Sequence, residues 1–267
     1  MAAAGGTIAL AILLALLYAR GARGSRHWPA WRTVVFFLGL LVVLAALATQ
    51  LEQYAYELFS AHMLQHMLLT IVAAPLLLLG APVLPLLRGL PRGLRRGIFG
   101  PVARWYPLRV LLHTVRSPMV AGILYVGGLY FWHIPRVYDA AVEDPLLHSL
   151  EHGWYLATAL LFWSVVIDPL PFRSTLPHPA RIVYLLLAGA AQNTILGGVL
   201  AFSSRVFYRH YETSSLAYGI DPLTDQRTGG AIMWVPGDMI FLAGASFAFF
   251  AWLRTEEDEQ RRREAGT

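Results

Sequence analysis

The stretch AHMLQHMLLTIVAAPLLLLGAPVLPLL, residues 61–87, holds no acidic or basic residue beyond the two histidines near its start. An apolar window of roughly 17–25 residues crosses a bilayer as a helix, so the run predicts a membrane segment. Pro75, Pro82 and Pro85 predict a kink, or an end near Pro82, because proline gives no N–H to the helical ladder. His62 and His66 are the anomaly. They place imidazoles one helical turn apart where apolar side chains belong.

Six further apolar windows lie outward from this one, at about 3–19, 33–50, 117–134, 147–167, 181–203 and 231–253. The window at 117–134 is the weakest, being short and carrying Gly127 and Gly128. Composition points the same way. Hydrophobic residues make up 57% of the 267 and charged residues only 14%, where a soluble domain carries about a quarter charged. Mean hydropathy is +0.52. The predicted fold is an all-α, polytopic membrane bundle of about seven transmembrane helices. Residues 1–253 form one bundle and 254–267 a charged cytoplasmic tail. The first window lacks a basic flank before it, and Arg20, Arg23 and Arg26 follow it, so it reads as a retained helix and not a signal peptide. No internal repeat suggests the inverted halves of a transporter.

The basic residues are all arginine, and they are unevenly placed. Arg20, Arg23, Arg26 and Arg32 follow the first window, seven arginines from Arg88 to Arg116 follow the third, and Arg173 and Arg181 follow the fifth. With Arg254 and Arg261 to Arg263 in the tail, 17 of 21 fall on one side. The positive-inside rule then places the N-terminus outside and the C-terminus inside. The net charge of +5 marks topology and anionic headgroups, not nucleic acid. The arginine-rich stretch 88–116 reads as an interfacial segment, and 204–230, with its turn-rich DPLTDQRTGG, as a long outer loop. There is no cysteine, which excludes disulfides, thiolate metal sites and a cysteine nucleophile.

Of nine histidines, six fall on or near the predicted outer side. The HxxxH spacing at His62/His66 recurs at His148/His152, and His133 closes the fourth window at the same predicted depth. Residues four apart share one helix face, so each pair can converge on one ion. Single interfacial histidines often do no more than hydrogen-bond nearby loops or headgroups. Two such pairs and a fifth histidine on one side predict a metal or cofactor site at His62, His66, His133, His148 and His152. Imidazole suits copper, zinc, iron and nickel, and thioether adds a preference for copper(I). Met63 and Met67 are possible soft ligands, although they lie about 100° around the helix from the histidines and methionine is ordinary core filler. Glu151 is one residue from His152 and so turned off the shared face. It reads as an orienting group or a helix-terminus charge. Asp238 and Asn193 are polar residues within predicted spans, each able to support a ligand or to pair locally.

The blocks AHMLQHMLLTIVAAPLLLLGAP, FWHIPRVYDAAVEDPLLHSLEH and DPLTDQRTGGAIMWVPGDM together resemble the CtaG-type cytochrome c oxidase assembly factors of bacteria. The resemblance runs from about residue 50 to 253 and includes all five histidines, with Asp225, Gln226, Met233, Trp234, Pro236 and Gly237 matching in the third block. Arg227 stands where many relatives carry a second glutamine. The resemblance implies a multi-pass protein of the bacterial cytoplasmic membrane, partnered by haem–copper oxidase subunits and lipid, that handles copper without catalysing a reaction. Three other functions stay open: a haem protein with axial histidines, a metal-dependent membrane enzyme, and a proton-coupled transporter using Asp238. The doubled histidines argue against haem, the shortage of further ligands against an enzyme, and the apolar inner halves of the helices against a transporter.

Overall fold

The computed structural model describes residues 2–25, 27–172 and 174–265. Arg26 and Arg173, both counted among the inner-side arginines, and residues 266–267 of the tail lie outside the described residues. Among the described residues the chain is all-helical, without a strand. The helices are α1 (Ala2–Arg23), α2 (Ala30–Leu47), α3 (Gln50–Glu57) and α4 (Phe59–Leu79). Then follow α5 (Val83–Gly89), α6 (92–104), α7 (Tyr106–Val115), α8 (Pro118–Trp132) and α9 (Pro135–Glu143). The last are α10 (Pro145–Ser164), α11 (His178–Ala201), the short α12 (Tyr211–Ser214) and α13 (Pro222–Ala265).

Among the described residues five helices, α1, α2, α4, α11 and α13, are long and apolar enough to cross a membrane. The window at 117–134 becomes α8, only 15 residues long. At 1.5 Å per residue that is about 22 Å, short of a hydrocarbon core of about 30 Å. It passes the same test only together with α7, to which it is bent by 65°. The window at 147–167 becomes α10, which has the length, 20 residues, but falls short on apolarity. Its first two turns carry His148, Ser149, Glu151 and His152.

α4 is the axis of the fold. Its span is 67% buried, against 17–28% for the other four, so its neighbours cover it and turn their own apolar faces outward. Leu68–Ala73 forms a π turn ahead of Pro75, a widening that helices use where the ladder must accommodate a missing N–H. The helix stops at Leu79. Gly80 and Ala81, the latter at φ 45°, turn the chain, and Pro82 starts α5. α1 returns beside α5 at a close crossing, where a Cβ on Gly89 would strike the Leu17 carbonyl. α11 crosses α13 as tightly, since a Cβ on Gly230 would lie 2.7 Å from Gly197 O.

The predicted outer loop 204–230 is shorter than expected, because α13 begins at Pro222. Asp221 accepts from Thr224 N at 2.9 Å and so caps the helix, with proline in the first turn where no N–H is missed. The rest of that loop is not peripheral. Tyr208 and Tyr211 are buried, and Tyr208 stacks on Phe59 at 4.9 Å. The tail stays helical to Ala265 and is exposed throughout its described length.

Candidate metal centre

α4 presents His62 and His66 towards α10, and α10 presents His148 and His152 back. Ring centroids are 4.3 Å apart within each pair, 5.0 Å between His62 and His148, and 5.2 Å between His66 and His152. All four rings are at most 5% exposed. Nε2 of His62 and Nε2 of His148 face each other at 3.3 Å. Two metal–nitrogen bonds of about 2.0 Å at a tetrahedral angle span about 3.3 Å, so the spacing suits a shared ion.

The other nitrogens of these rings are engaged. His62 Nδ1 lies 2.7 Å from Tyr138 OH and 3.0 Å from Tyr211 OH. Tyr211 donates its own proton to Ala55 O at 2.7 Å, which leaves its oxygen to accept from His62. His148 Nδ1 meets Tyr56 OH at 2.5 Å, with a Glu52 oxygen 3.8 Å away. A ring that gives its Nδ1–H to oxygen keeps a lone pair on Nε2, the form a metal needs. Burial pushes the Tyr56 hydroxyl up to about 12, helped by the charges of Glu52 and Glu151. Burial likewise holds Tyr138 and Tyr211 well above the usual tyrosine range, so these phenols stay protonated.

Glu151 completes the cluster. It is fully buried, with Oε2 3.8 Å from His62 Nε2 and Oε1 3.7 Å from His66 Nε2. Among the described residues neither oxygen has a hydrogen-bond partner, nor do either nitrogen of His66 or His152 Nε2. Two overlapping sets have the spacing to hold an ion, His62/His148/His152 and His62/His66/Glu151. Although one step from His152, Glu151 is three residues from His148 and so lies about 60° from it around α10, where its oxygens face His62 and His66 of α4. So many orphaned donor atoms around one point are costly in a dry interior unless a cation satisfies them.

The other sequence-predicted residues are more scattered. His133 is buried but belongs to neither set. It gives Nδ1 to Leu129 O at 2.8 Å and lines a small cavity beyond His66. Met63 and Met67 border that cavity, as does Asn193, which donates to Met233 O. Among the described residues Asp238 has no hydrogen bond or ion pair to the imidazoles; it accepts from Thr194 on α11. Sequence reasoning missed the tyrosines and the clamp that sets α4. Asp225 accepts from the first backbone amides of that helix, Phe59 N at 2.6 Å and Ser60 N at 3.1 Å. Gln226 ties down the preceding loop, accepting from Phe207 N at 2.7 Å and donating to Arg205 O at 3.0 Å. Gln65 donates to Ala46 O at 2.8 Å and to Glu52, fixing α4 against α2 and α3.

Known proteins resemble the chain over most of its length. It is 31% identical over 239 residues to the uncharacterized proteins Mb0105 of Mycobacterium bovis and MT0111 of Mycobacterium tuberculosis, and 30% identical over 238 residues to the uncharacterized protein ML1998 of Mycobacterium leprae. Each alignment covers 85% of this chain but only 35% of the relative, so the chain spans about a third of the length of the curated relatives it matches. No solved structure matches it. The pattern defining the family described as cytochrome c oxidase caa3 assembly factor (Caa3_CtaG) matches residues 12–255, and the chain belongs to that family.

Proposed function

We propose that the chain is a non-catalytic copper-handling factor of the bacterial cytoplasmic membrane that serves the assembly of a haem–copper cytochrome c oxidase. The ion sits among His62, His66, His148 and His152 with Glu151 as the anionic ligand, and oxidase subunits receive it. The observation that carries this reading is Glu151. A fully buried carboxylate without a hydrogen-bond donor, facing two imidazole nitrogens below 4 Å, calls for a positive charge between them. Imidazole with one carboxylate and no thiolate suits a borderline ion such as copper and leaves exchange possible. With the N-terminus outside, the cluster lies towards the outer surface, the side on which a carrier would meet the oxidase's copper centres. Haem fits less well, because His62 and His148 meet Nε2 to Nε2 at 3.3 Å, too close for a macrocycle to lie between them.

The test is elemental analysis of detergent-purified protein after copper exposure, beside a His62→Ala/His152→Ala variant. Copper near one equivalent or more at this cluster, lost from it in the variant, supports the reading. Iron with a Soret band, or equal copper in both samples, overturns it.

A further inference from the structure

Six methionines occur in the chain, and three of the internal ones converge. Met63, Met67 and Met233 are buried, whereas Met119 and Met239 are 76% and 66% exposed. Met63 and Met67 share a face of α4, one turn apart and about 100° from the histidine face. Met233 comes from α13. All three line one cavity of about 20 Å³, together with His66, His133 and Tyr155, and every lining residue is buried. That volume holds one water-sized sphere or one ion.

The imidazoles give this cavity its chemistry. His133 Nδ1 is engaged by Leu129 O at 2.8 Å and lies 3.2 Å from Tyr155 OH, while its Nε2 is buried with no partner among the described residues. His66 turns Nε2 towards Glu151, and its Nδ1 is equally buried and unpartnered. A ring held through Nδ1 with a lone pair on Nε2 is oriented as a ligand. Ordinary core methionine needs no such neighbour. Thioether sulfur with neutral imidazole, and no carboxylate among the lining residues, is a soft donor set.

We propose that this cavity is a second cation site, selective for a soft monovalent d¹⁰ ion such as copper(I), with Met63, Met67, Met233 and His133 as ligands. It is separate from the histidine–carboxylate cluster, and His66 stands between the two. The two sites differ in softness: the cluster takes borderline ions through nitrogen and oxygen, and the cavity takes reduced ions through sulfur. Because the donor sets differ, either site can fail without the other.

The probes are silver(I), a closed-shell soft ion, and zinc(II), which takes imidazole and carboxylate. The full chain in detergent is loaded with each, and X-ray absorption reads the neighbours of the ion. Silver in the wild-type protein shows sulfur neighbours. In a Met67→Leu/Met233→Leu variant, which keeps side-chain volume, the sulfur signal is lost and silver affinity falls by at least about tenfold, while zinc uptake is unchanged. In a His148→Ala/Glu151→Gln variant zinc uptake is lost and the silver–sulfur signal persists. Silver bound to the wild-type protein through nitrogen and oxygen alone overturns the proposal whether or not any variant folds, as does undiminished silver affinity in the leucine variant. Absence of zinc uptake by the wild-type protein instead removes the cluster reading and leaves this one standing.

Discussion

Glu151→Gln separates a ligand from a structural residue, because the two roles give opposite signs. The glutamine has nearly the same shape but no charge. An ion bound by His66 lies no farther from the carboxylate than His66 Nε2 does, 3.7 Å. Unit charges about 3.7 Å apart attract by about 4–5 kcal/mol at an effective dielectric of about 20. The amide oxygen still offers a weak ligand, so about 3 kcal/mol of the attraction is lost, a fall of about a hundredfold in affinity. The metal-free protein moves the other way. A buried carboxylate without a donor destabilises the apo fold, and its removal restores about 1–3 kcal/mol. Competitive chelator titration reads the affinity, and thermal unfolding of the metal-free protein in detergent reads the stability. Both are measured on one preparation. A variant that is less stable when metal-free and binds copper as tightly as wild type refutes the reasoning, since Glu151 would then be a fold residue with partners of its own.

Three other perturbations test what surrounds the cluster. Asp225→Ala removes the acceptor for Phe59 N and Ser60 N at the start of α4; loss of such a cap lowers stability by about 1–2 kcal/mol, read as a lower unfolding temperature, and an unchanged temperature contradicts the clamp. Gly230→Ala places a Cβ 2.7 Å from Gly197 O and destabilises the α11–α13 crossing by about 1–3 kcal/mol, whereas Gly5→Ala, with open space around it in α1, causes no loss of stability in the same unfolding assay. Burial holds the Glu52 carboxyl above its ordinary range, with the hydrogen bond from Gln65 offsetting only part of the shift. The folded state therefore binds that proton more tightly than the unfolded one. The resulting stability is full below the ordinary carboxylate value of about 4.3 and is lost as pH rises through the raised one. Glu52→Gln, compared with wild type in metal-free protein, gains relative stability as pH rises from about 4, and a difference independent of pH contradicts the assignment.

The helical repeat made part of this site legible. His62/His66 and His148/His152 announce themselves because a spacing of four puts two rings on one face, whatever the tertiary structure. The same repeat also bears on Glu151, which its step of one residue from His152 would set aside: it is three residues from His148, and residues three apart are neighbours on a helix surface. What the spacing does not carry is which helix faces that residue, and here it is α4, with His62 Nε2 3.8 Å from Glu151 Oε2. His133 shows the converse. Its predicted depth matches the other histidines, yet depth along a membrane normal does not say on which side of α4 a side chain sits, and it sits beyond His66 among the methionines.

The tyrosines were hidden for a different reason. Tyr138 and Tyr211 belong to segments between the long apolar runs, where turn-forming residues suggest exposed loops, and only the folding back of these segments over the start of α4 brings their hydroxyls to His62. One local signal was available. Asp221–Pro222 is a helix start, and reading it as one shortens the loop and draws the residues before it towards the bundle. Burial of those phenols then fixes what the histidines do. A protonated tyrosine oxygen that accepts from Nδ1–H turns the free lone pair of Nε2 towards Glu151, so the segments that look most like loops set the direction in which the imidazoles offer their ligand atoms. Tyr56, from α3, lies against Nδ1 of His148 and leaves that ring's Nε2 facing His62. The donor set is thus held from outside α4 and α10 as much as from within them, which is why two helices carrying HxxxH alone would not make this site.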